Sequence, residues 1–532
     1  MESHKNLIKG SLIAFFLILS AIAAAQQPEI IPLPTNFVKL PEKFQVSEAT
    51  RLLPEGEQAQ QIAITFNNEL FLFSGLALNL DAKMESNEIR FIIKPDLLVS
   101  EGYTLMMSNK TIIITGNSAH GLFNGAQSLL QLIAKSKGLS LNCWNIHDHP
   151  LYSWRGLMID ESRHFFGKVY IKSLIDWMAF YKINRFHWHL TDEPGWRIEI
   201  KHYHKLAQIG GIGNFSDSTT KTAYYMQEEI NEIVSYARDR FIQVIPEIDM
   251  PGHASAANRA YPEYSGGGTQ EHPEFTFNPA KDQTYTYLST ILHEVNMMFP
   301  GKLIHIGGDE VSYGREEWKN LTGIKTLMDH NRLPTLNEVE NYFTRRISDS
   351  LKSWGTNVGV WDEAVAAHLP IDQATIFWWR QDHPEQLKTA LDAGYQVVLC
   401  PRLPMYFDFV QLKTDHYGRK WDDGEYNSLD KVYDFPQSLS FDQSKGKIIG
   451  IQANLWTETV GSTQRADYLL FPRLAALAED AWTSGKQKNY KAFTNRLKLD
   501  VLLYQRANIY YCAPIGQIYH PEPVTPDELT MP

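Results

Sequence analysis

From residue 153 onward the chain repeats one unit: a short apolar, β-branched run, a polar or aromatic tip, and then an amphipathic stretch. The runs are RGLMID, RFHWHL, IQVIPEID, LIHIGGDE, VGVWDE, ATIFWW, YQVVLC and IIGIQANLW. Helical patterns such as 170–181, 227–240 and 285–299 lie between several of them. Eight strands alternating with helices predict parallel βα units, and eight is the number that closes a (β/α)8 TIM barrel. A doubly wound open sheet also alternates, but it rarely needs about 330 residues and eight strands. The fold expectation is therefore α/β, a TIM barrel over 151–485.

The residues before the barrel read differently. Runs such as IRFIIK and KTIIIT and one helical stretch at 121–133 predict a small α+β domain over 26–150. That region holds a single tryptophan, Trp144, whereas the other twelve lie from Trp154 to Trp482, and this shift places a boundary near 150. After the barrel, 486–532 holds one expected helix at 490–507 and a polar, Pro-rich end. The first 25 residues read as an export signal: Lys5 and Lys9, an apolar run from Leu12 to Leu19, and the small residues Ala23, Ala24 and Ala25. That apolar stretch is short of the ~20 residues a membrane span needs, so an exported protein with no membrane span after cleavage is expected, periplasmic or secreted.

Composition removes several function classes. With 43% hydrophobic residues the chain is not disordered, and a net charge of −11 without a basic cluster argues against a nucleic-acid partner. Three cysteines make no disulfide scaffold and no CxxC metal spacing; Cys143, Cys400 and Cys512 are expected as buried thiols, with one disulfide open. No phosphate cradle or dinucleotide fingerprint is present, so no cofactor is expected. His187 and His189 share one strand face, which a metal could use, but histidines satisfied within a barrel core are the expected reading, and no metal is assigned.

In a TIM barrel the residues after each strand surround one pocket. Here that collection is Arg155, His189, Asp192, Glu193, Glu247, Asp249, His253, Asp309, Glu310, Trp361, Asp362, Glu363, Trp378, Trp379, Tyr406, Asp408, Trp456 and Glu458. Acids beside tryptophans suit a carbohydrate, whose C–H faces stack on aromatic rings while its hydroxyls bond to carboxylates and arginine. Asp309 and Glu310 are adjacent, and neighbouring side chains on a strand point to opposite faces. Both reach one pocket only if the strand ends there and the backbone turns, which Gly307 and Gly308 permit.

These segments, in this order, resemble family 20 of the glycoside hydrolases, the β-N-acetylhexosaminidases. The resemblance rests on RGLMID with SRHF (162–165), HWHLTDE with GWR, EIDMPGH, HIGGDE, WDE, the Trp pair, Tyr-Phe-Asp and NLWTE, and it covers nearly all of the chain after the signal. It implies an exo-acting hydrolase releasing terminal β-linked GlcNAc or GalNAc from a glycan by substrate assistance. By the same resemblance the substrate's acetamido oxygen attacks the anomeric carbon to give an oxazolinium intermediate. Asp309 orients that group, Glu310 is acid and then base with its carboxyl raised toward neutrality, and Tyr406 holds the acetamido carbonyl. Trp361, Trp378 and Trp456 wall the pocket. Arg155, Glu458 and Asp408 grip ring hydroxyls, and Asp192 and His253 stand behind Glu310. Trp379 is left as pocket or core. Three alternatives stay open: a retaining glycosidase with a protein nucleophile, a family member specialised for a disaccharide unit or polysaccharide, and a non-catalytic sugar-binding barrel.

Overall fold

The computed structural model describes residues 26–80, 87–95, 99–420, 424–436, 445–513 and 520–524; the expected export signal lies outside them. The chain divides into two compact units, Met1–His149 and Pro150–Pro532. In the first, β1 (Asn36–Gln45), β2 (Arg51–Pro54), β3 (Asn79–Leu80), β4 (Glu88–Ile93), β5 (Tyr103–Met107), β6 (Thr111–Gly116) and β7 (Ser140–Asp148) form one mixed sheet in the order β1-β7-β5-β6-β4-β2-β3. Helices α1 (Glu57–Ser74) and α2 (Ala119–Ala134) pack on each other and on that sheet. The Ser118 side chain accepts from Gly121 N at 3.1 Å, satisfying one of the free N–H groups at the start of α2.

In the second unit, eight parallel strands close into a barrel. They are β8 (Trp154–Asp160), β9 (Arg185–His189), β10 (Gln243–Glu247), β13 (Leu303–His305), β14 (Asn357–Trp361), β15 (Ala374–Trp378), β16 (Gln396–Leu399) and β17 (Lys447–Leu455), with a short ribbon of β11 (Ser265–Gly267) and β12 (Thr276–Phe277) outside. Every one of the eight apolar runs became a barrel strand. The expected helices appear as α3 (Lys168–Phe180), α4 (Gln227–Arg238) and α5 (Asp282–Met298), and the expected tail helix spans Tyr490–Arg506. Helix α4 buries one face, Ile230, Ile233, Val234 and Ala237, as its 3.6-residue period requires, while α3 is buried all round from Leu174 to Phe180.

Period-two alternation sorts the side chains of each strand. In β9, His187 and His189 point into the barrel, while Trp188 points outward and donates its indole N–H to Glu161 Oε2 at 2.7 Å. The barrel floor is filled by Trp154 edge-on to Phe377, ring centroids 5.3 Å apart. Above them sits one buried carboxylate, Glu247. Its oxygens lie 3.0 Å from His187 Nε2, 2.6 Å from His189 Nδ1 and 3.0 Å from His305 Nδ1, and Trp361 Nε1 donates to it at 2.8 Å. Of the two histidines weighed as metal ligands, His189 is hydrogen-bonded to Glu247 and Asp192, while His187 Nδ1 accepts from Gln452 Nε2 at 3.0 Å and its Nε2 only approaches Glu247. The three cysteines are buried free thiols. No helix among the described residues is long and apolar enough to cross a membrane.

Candidate active site

The fourth barrel strand stops at His305, and the backbone then leaves the sheet through Gly307 and Gly308, with φ of 68° and 92°. A Cβ at Gly307 would overlap Asp249 Oδ1, so only glycine fits there. Glu310 is also left-handed, φ 49°, an uncommon conformation for a side chain of its size. This sequence of turns is what brings two consecutive carboxyls into one cavity, of about 290 Å³, at the C-terminal end of the barrel. Its walls are Trp361, Trp379, Trp456 and Tyr406; Trp379 and Tyr406 lie nearly parallel, 14° apart with centroids at 6.2 Å. Burial keeps the Tyr406 hydroxyl protonated and so able to donate.

One end of the cavity is closed by charge. Arg163, three residues past the end of β8, reaches Asp192 at 2.7 Å, Asp160 at 3.3 Å and Glu458 at 3.9 Å, with its guanidinium 5.1 Å from the Trp456 ring centre. Arg419 grips Glu458 at 2.7 Å and stands 3.5 Å from Asp408. Neither oxygen of Asp408, nor Glu458 Oε2, has a hydrogen bond among the described residues, although all three are buried. Buried carboxyl oxygens need donors, and hydroxyl groups entering this end would supply them. Burial, with Glu458 nearby, pushes the Asp408 carboxyl up to about 7 against the pull of Arg419.

The other end holds the two carboxyls and their supports. His253 Nδ1 lies 3.0 Å from Asp192 Oδ1, and its Nε2 faces Asp309 at 3.7 Å and Glu310 at 3.6 Å. Against the cost of burial, Asp192 and Asp309 hold His253 well above the usual histidine range, so it is an imidazolium between carboxylates. Asp192 is itself held well below the carboxylate range by Arg163 and His253, in opposition to burial. The pair then separates. Burial, with Glu363, Glu310 and Glu247 near, pushes Asp309 up to about 8 despite His253. Glu310, less deeply placed, is lowered, because His253, Arg163 and the Tyr313 hydroxyl outweigh burial.

These residues place the chain among known proteins. The glycosyl hydrolase family 20 catalytic domain matches residues 152–485, and domain 2 of the same family matches 27–149. The chain belongs to glycoside hydrolase family 20. It is 34% identical to a beta-hexosaminidase of Porphyromonas gingivalis, over 96% of this chain and 69% of that one. A crystal structure of a family 20 exo-β-N-acetylglucosaminidase from Vibrio harveyi with N-acetylglucosamine aligns at a TM-score of 0.84 and 28% identity, covering 92% of this chain and 79% of that one. A β-N-acetylhexosaminidase from Bacteroides fragilis aligns at 0.79 and 29%, covering 91% and 96%.

Within this family 20 pocket the structure brings together Asp309, Glu310, Tyr406, His253, Trp361, Trp456 and Glu458, with Asp192 and Asp408 directly behind. Two expected residues are elsewhere. Arg155 is the second residue of β8, at the end of the barrel away from the pocket; its guanidinium donates to the carbonyls of Lys182 and Tyr152, both at 2.8 Å, and covers Trp482. The arginine of the pocket is Arg163, inside the SRHF segment. Trp378 points away as well, its indole N–H toward His383 O at 3.4 Å. Phe377 faces the barrel interior, and the residue two positions on, Trp379, takes the wall; the alternation rule carries that signal in the sequence. A raised Glu310 carboxyl is also corrected: of the pair Asp309 is raised and Glu310 lowered. Arg419, Arg402 and Tyr313 line the cavity too, from loops and short helices with no periodic signature.

Proposed function

We propose that this family 20 enzyme removes terminal β-linked N-acetylhexosamine from the non-reducing ends of glycans, with retention, using the substrate's acetamido group as nucleophile. The observation that carries the reading is the turn at Gly307–Glu310, which aims two adjacent carboxyls into a cavity walled by three tryptophans and a tyrosine. The other carboxylate lining the cavity, Glu458, is engaged by Arg163 and Arg419 at the closed end. That closed end also supports exo action, because a chain continuing past the terminal sugar would meet two guanidinium groups.

The chemistry follows from these positions. The acetamido carbonyl oxygen forms a bond to the anomeric carbon as the glycosidic C–O bond breaks, and Glu310 gives its proton to the departing oxygen. Tyr406 donates to the acetamido oxygen, and Asp309 accepts from the amide N–H, whose nitrogen gains positive charge. Water then attacks the same carbon with Glu310 as base, the carbon–acetamido oxygen bond breaks, and two inversions leave the configuration retained. Productive binding needs Asp309 ionised and Glu310 protonated, the reverse of the directions in which burial and His253 drive them. An amide N–H donated to Asp309 favours its anion, and loss of that proton from Asp309 favours protonation of Glu310. A thiazoline analogue of the bicyclic intermediate should inhibit far more tightly than the free sugar; equal affinity would contradict the reading. We further propose that the first 25 residues export the protein, which N-terminal sequencing of the mature chain checks.

A further inference from the structure

Glu310 is anchored from two sides, and only one of them is the buried line of His253 and Asp192. Oε2 lies 3.6 Å from His253 Nε2. Oε1 instead accepts a hydrogen bond from the hydroxyl of Tyr313 at 3.2 Å. Tyr313 sits in the short helix Ser312–Arg315 directly after the acid, and its backbone N–H donates to Glu310 O at 3.0 Å. Although 43% exposed, its ring is held. It lies parallel to the imidazole of His272, 17° apart with centroids at 4.9 Å. His272 Nδ1 is 3.0 Å from Glu193, whose carboxyl returns to within 3.8 Å of His253. The ring of contacts therefore runs from Glu310 through Tyr313, His272, Glu193 and His253 back to Glu310. Tyr313 lines the sugar cavity and also the two recesses beside it.

Resting on the reading of Glu310 as the acid, we propose that Tyr313 is a positioning residue that holds Glu310 Oε1 at the cavity mouth, with His272 and Glu193 holding Tyr313 in place. A phenol O–H donated to a carboxylate favours the ionised form. The contact therefore restrains protonation of Glu310 before the first step and favours the base form needed for the second. The charged groups acting on Glu310 are His253, Asp309 and Arg163, and those acting on Tyr313 are Glu310, His253 and Asp309; Arg402 and Arg419 line the same cavity, and Arg315, Glu340, Glu363 and Arg380 the recess beside it.

The test is the pH profile of kcat/KM on N,N′-diacetylchitobiose, whose poor leaving group needs the acid, for the whole enzyme and for Tyr313→Phe. Phenylalanine keeps the ring and its stack on His272 but loses the donor, so the acidic limb, where Glu310 titrates in the free enzyme, should move up by about half a pH unit. His272→Ala, which loosens the ring, should move the limb the same way by less. A Tyr313→Phe profile superimposable on that of the wild type, or a change in KM alone with the limb fixed, would overturn the proposal. Absence of chitobiose turnover by the wild type would overturn the catalytic reading itself, and this proposal with it.

Discussion

Asp309 and Glu310 are joined by one peptide bond and face one cavity, yet their carboxyls are driven in opposite directions, Asp309 up to about 8 by burial and Glu310 down through His253. The difference is geometric. His253 Nε2 stands at nearly the same distance from both, but the less buried Glu310 also accepts from the Tyr313 hydroxyl, whereas Asp309 Oδ1 is buried with no hydrogen-bond partner among the described residues. An unmet buried carboxyl next to a second acid holds its proton, and a substrate amide N–H is the donor that releases it.

This arrangement has a consequence for stability. Asp309 binds its proton more tightly in the folded pocket than in the unfolded chain, so stability conferred by the protonated form is complete below about pH 4 and is lost as pH rises toward 8. Asp309→Asn removes that titration. Its melting temperature should match the wild type near pH 4 and exceed it by a margin that grows with pH, ~1–3 °C at pH 8.5, while kcat falls more than KM rises. Thermal melts at the two pH values check this; an asparagine variant less stable at both would contradict it.

Glu310→Gln should separate substrates by leaving group. Aryl glycosides with good leaving groups need little proton donation and should lose much less activity than chitobiose, by about 10² in relative terms. Equal losses, measured side by side, would remove Glu310 from the acid role.

Two arginines offer a clean contrast. Arg163→Ala should lower kcat/KM by ~10–10²-fold, since it breaks charged hydrogen bonds at the closed end of the pocket. Arg155→Lys should lower the melting temperature while leaving KM unchanged, because its partners are backbone carbonyls and Trp482 away from the sugar. Michaelis kinetics and melting curves on both variants decide the assignment.

The tryptophan pair makes a similar test. Trp379→Ala should cost ~10²-fold in kcat/KM by opening the wall that lies against Tyr406, whereas Trp378→Phe should alter activity less than about threefold. The reverse order would restore Trp378 to the pocket.

Gly307→Ala should damage stability and site together. It strains a φ of 68° and drives Cβ into Asp249, at a cost of about 2 kcal/mol or more, and it displaces both carboxyls. Loss of stability and activity together, read by melting and by turnover, is the expected result.

The barrel was legible because its strands are short apolar runs whose number and spacing leave few topologies. Asp309, Glu310 and Tyr406 were legible as pocket residues because they follow barrel strand ends, and two glycines before the acids permit the turn; the roles given to them came from the family resemblance. Arg155 misled because it opens a strand whose far end makes the pocket, a distance of five residues along β8. Trp378 misled because parity, not adjacency to an acid, decides which of two tryptophans faces inward. Arg419, Arg402 and Tyr313 come from segments whose path is set by tertiary packing. The opposite shifts of Asp309 and Glu310 depend on His253, brought there from 56 residues earlier in the chain by the barrel.

The central claim is that the nucleophile belongs to the substrate. Its most direct test is nitrophenol release by residues 26–532 from the aryl β-GlcNAc, β-GalNAc and β-glucose glycosides. The account predicts turnover of the acetamido sugars and none of the glucoside, since a 2-hydroxyl cannot form the bicyclic intermediate. Turnover of the glucoside at a comparable rate would mean a protein nucleophile and would contradict the roles given to Asp309 and Tyr406.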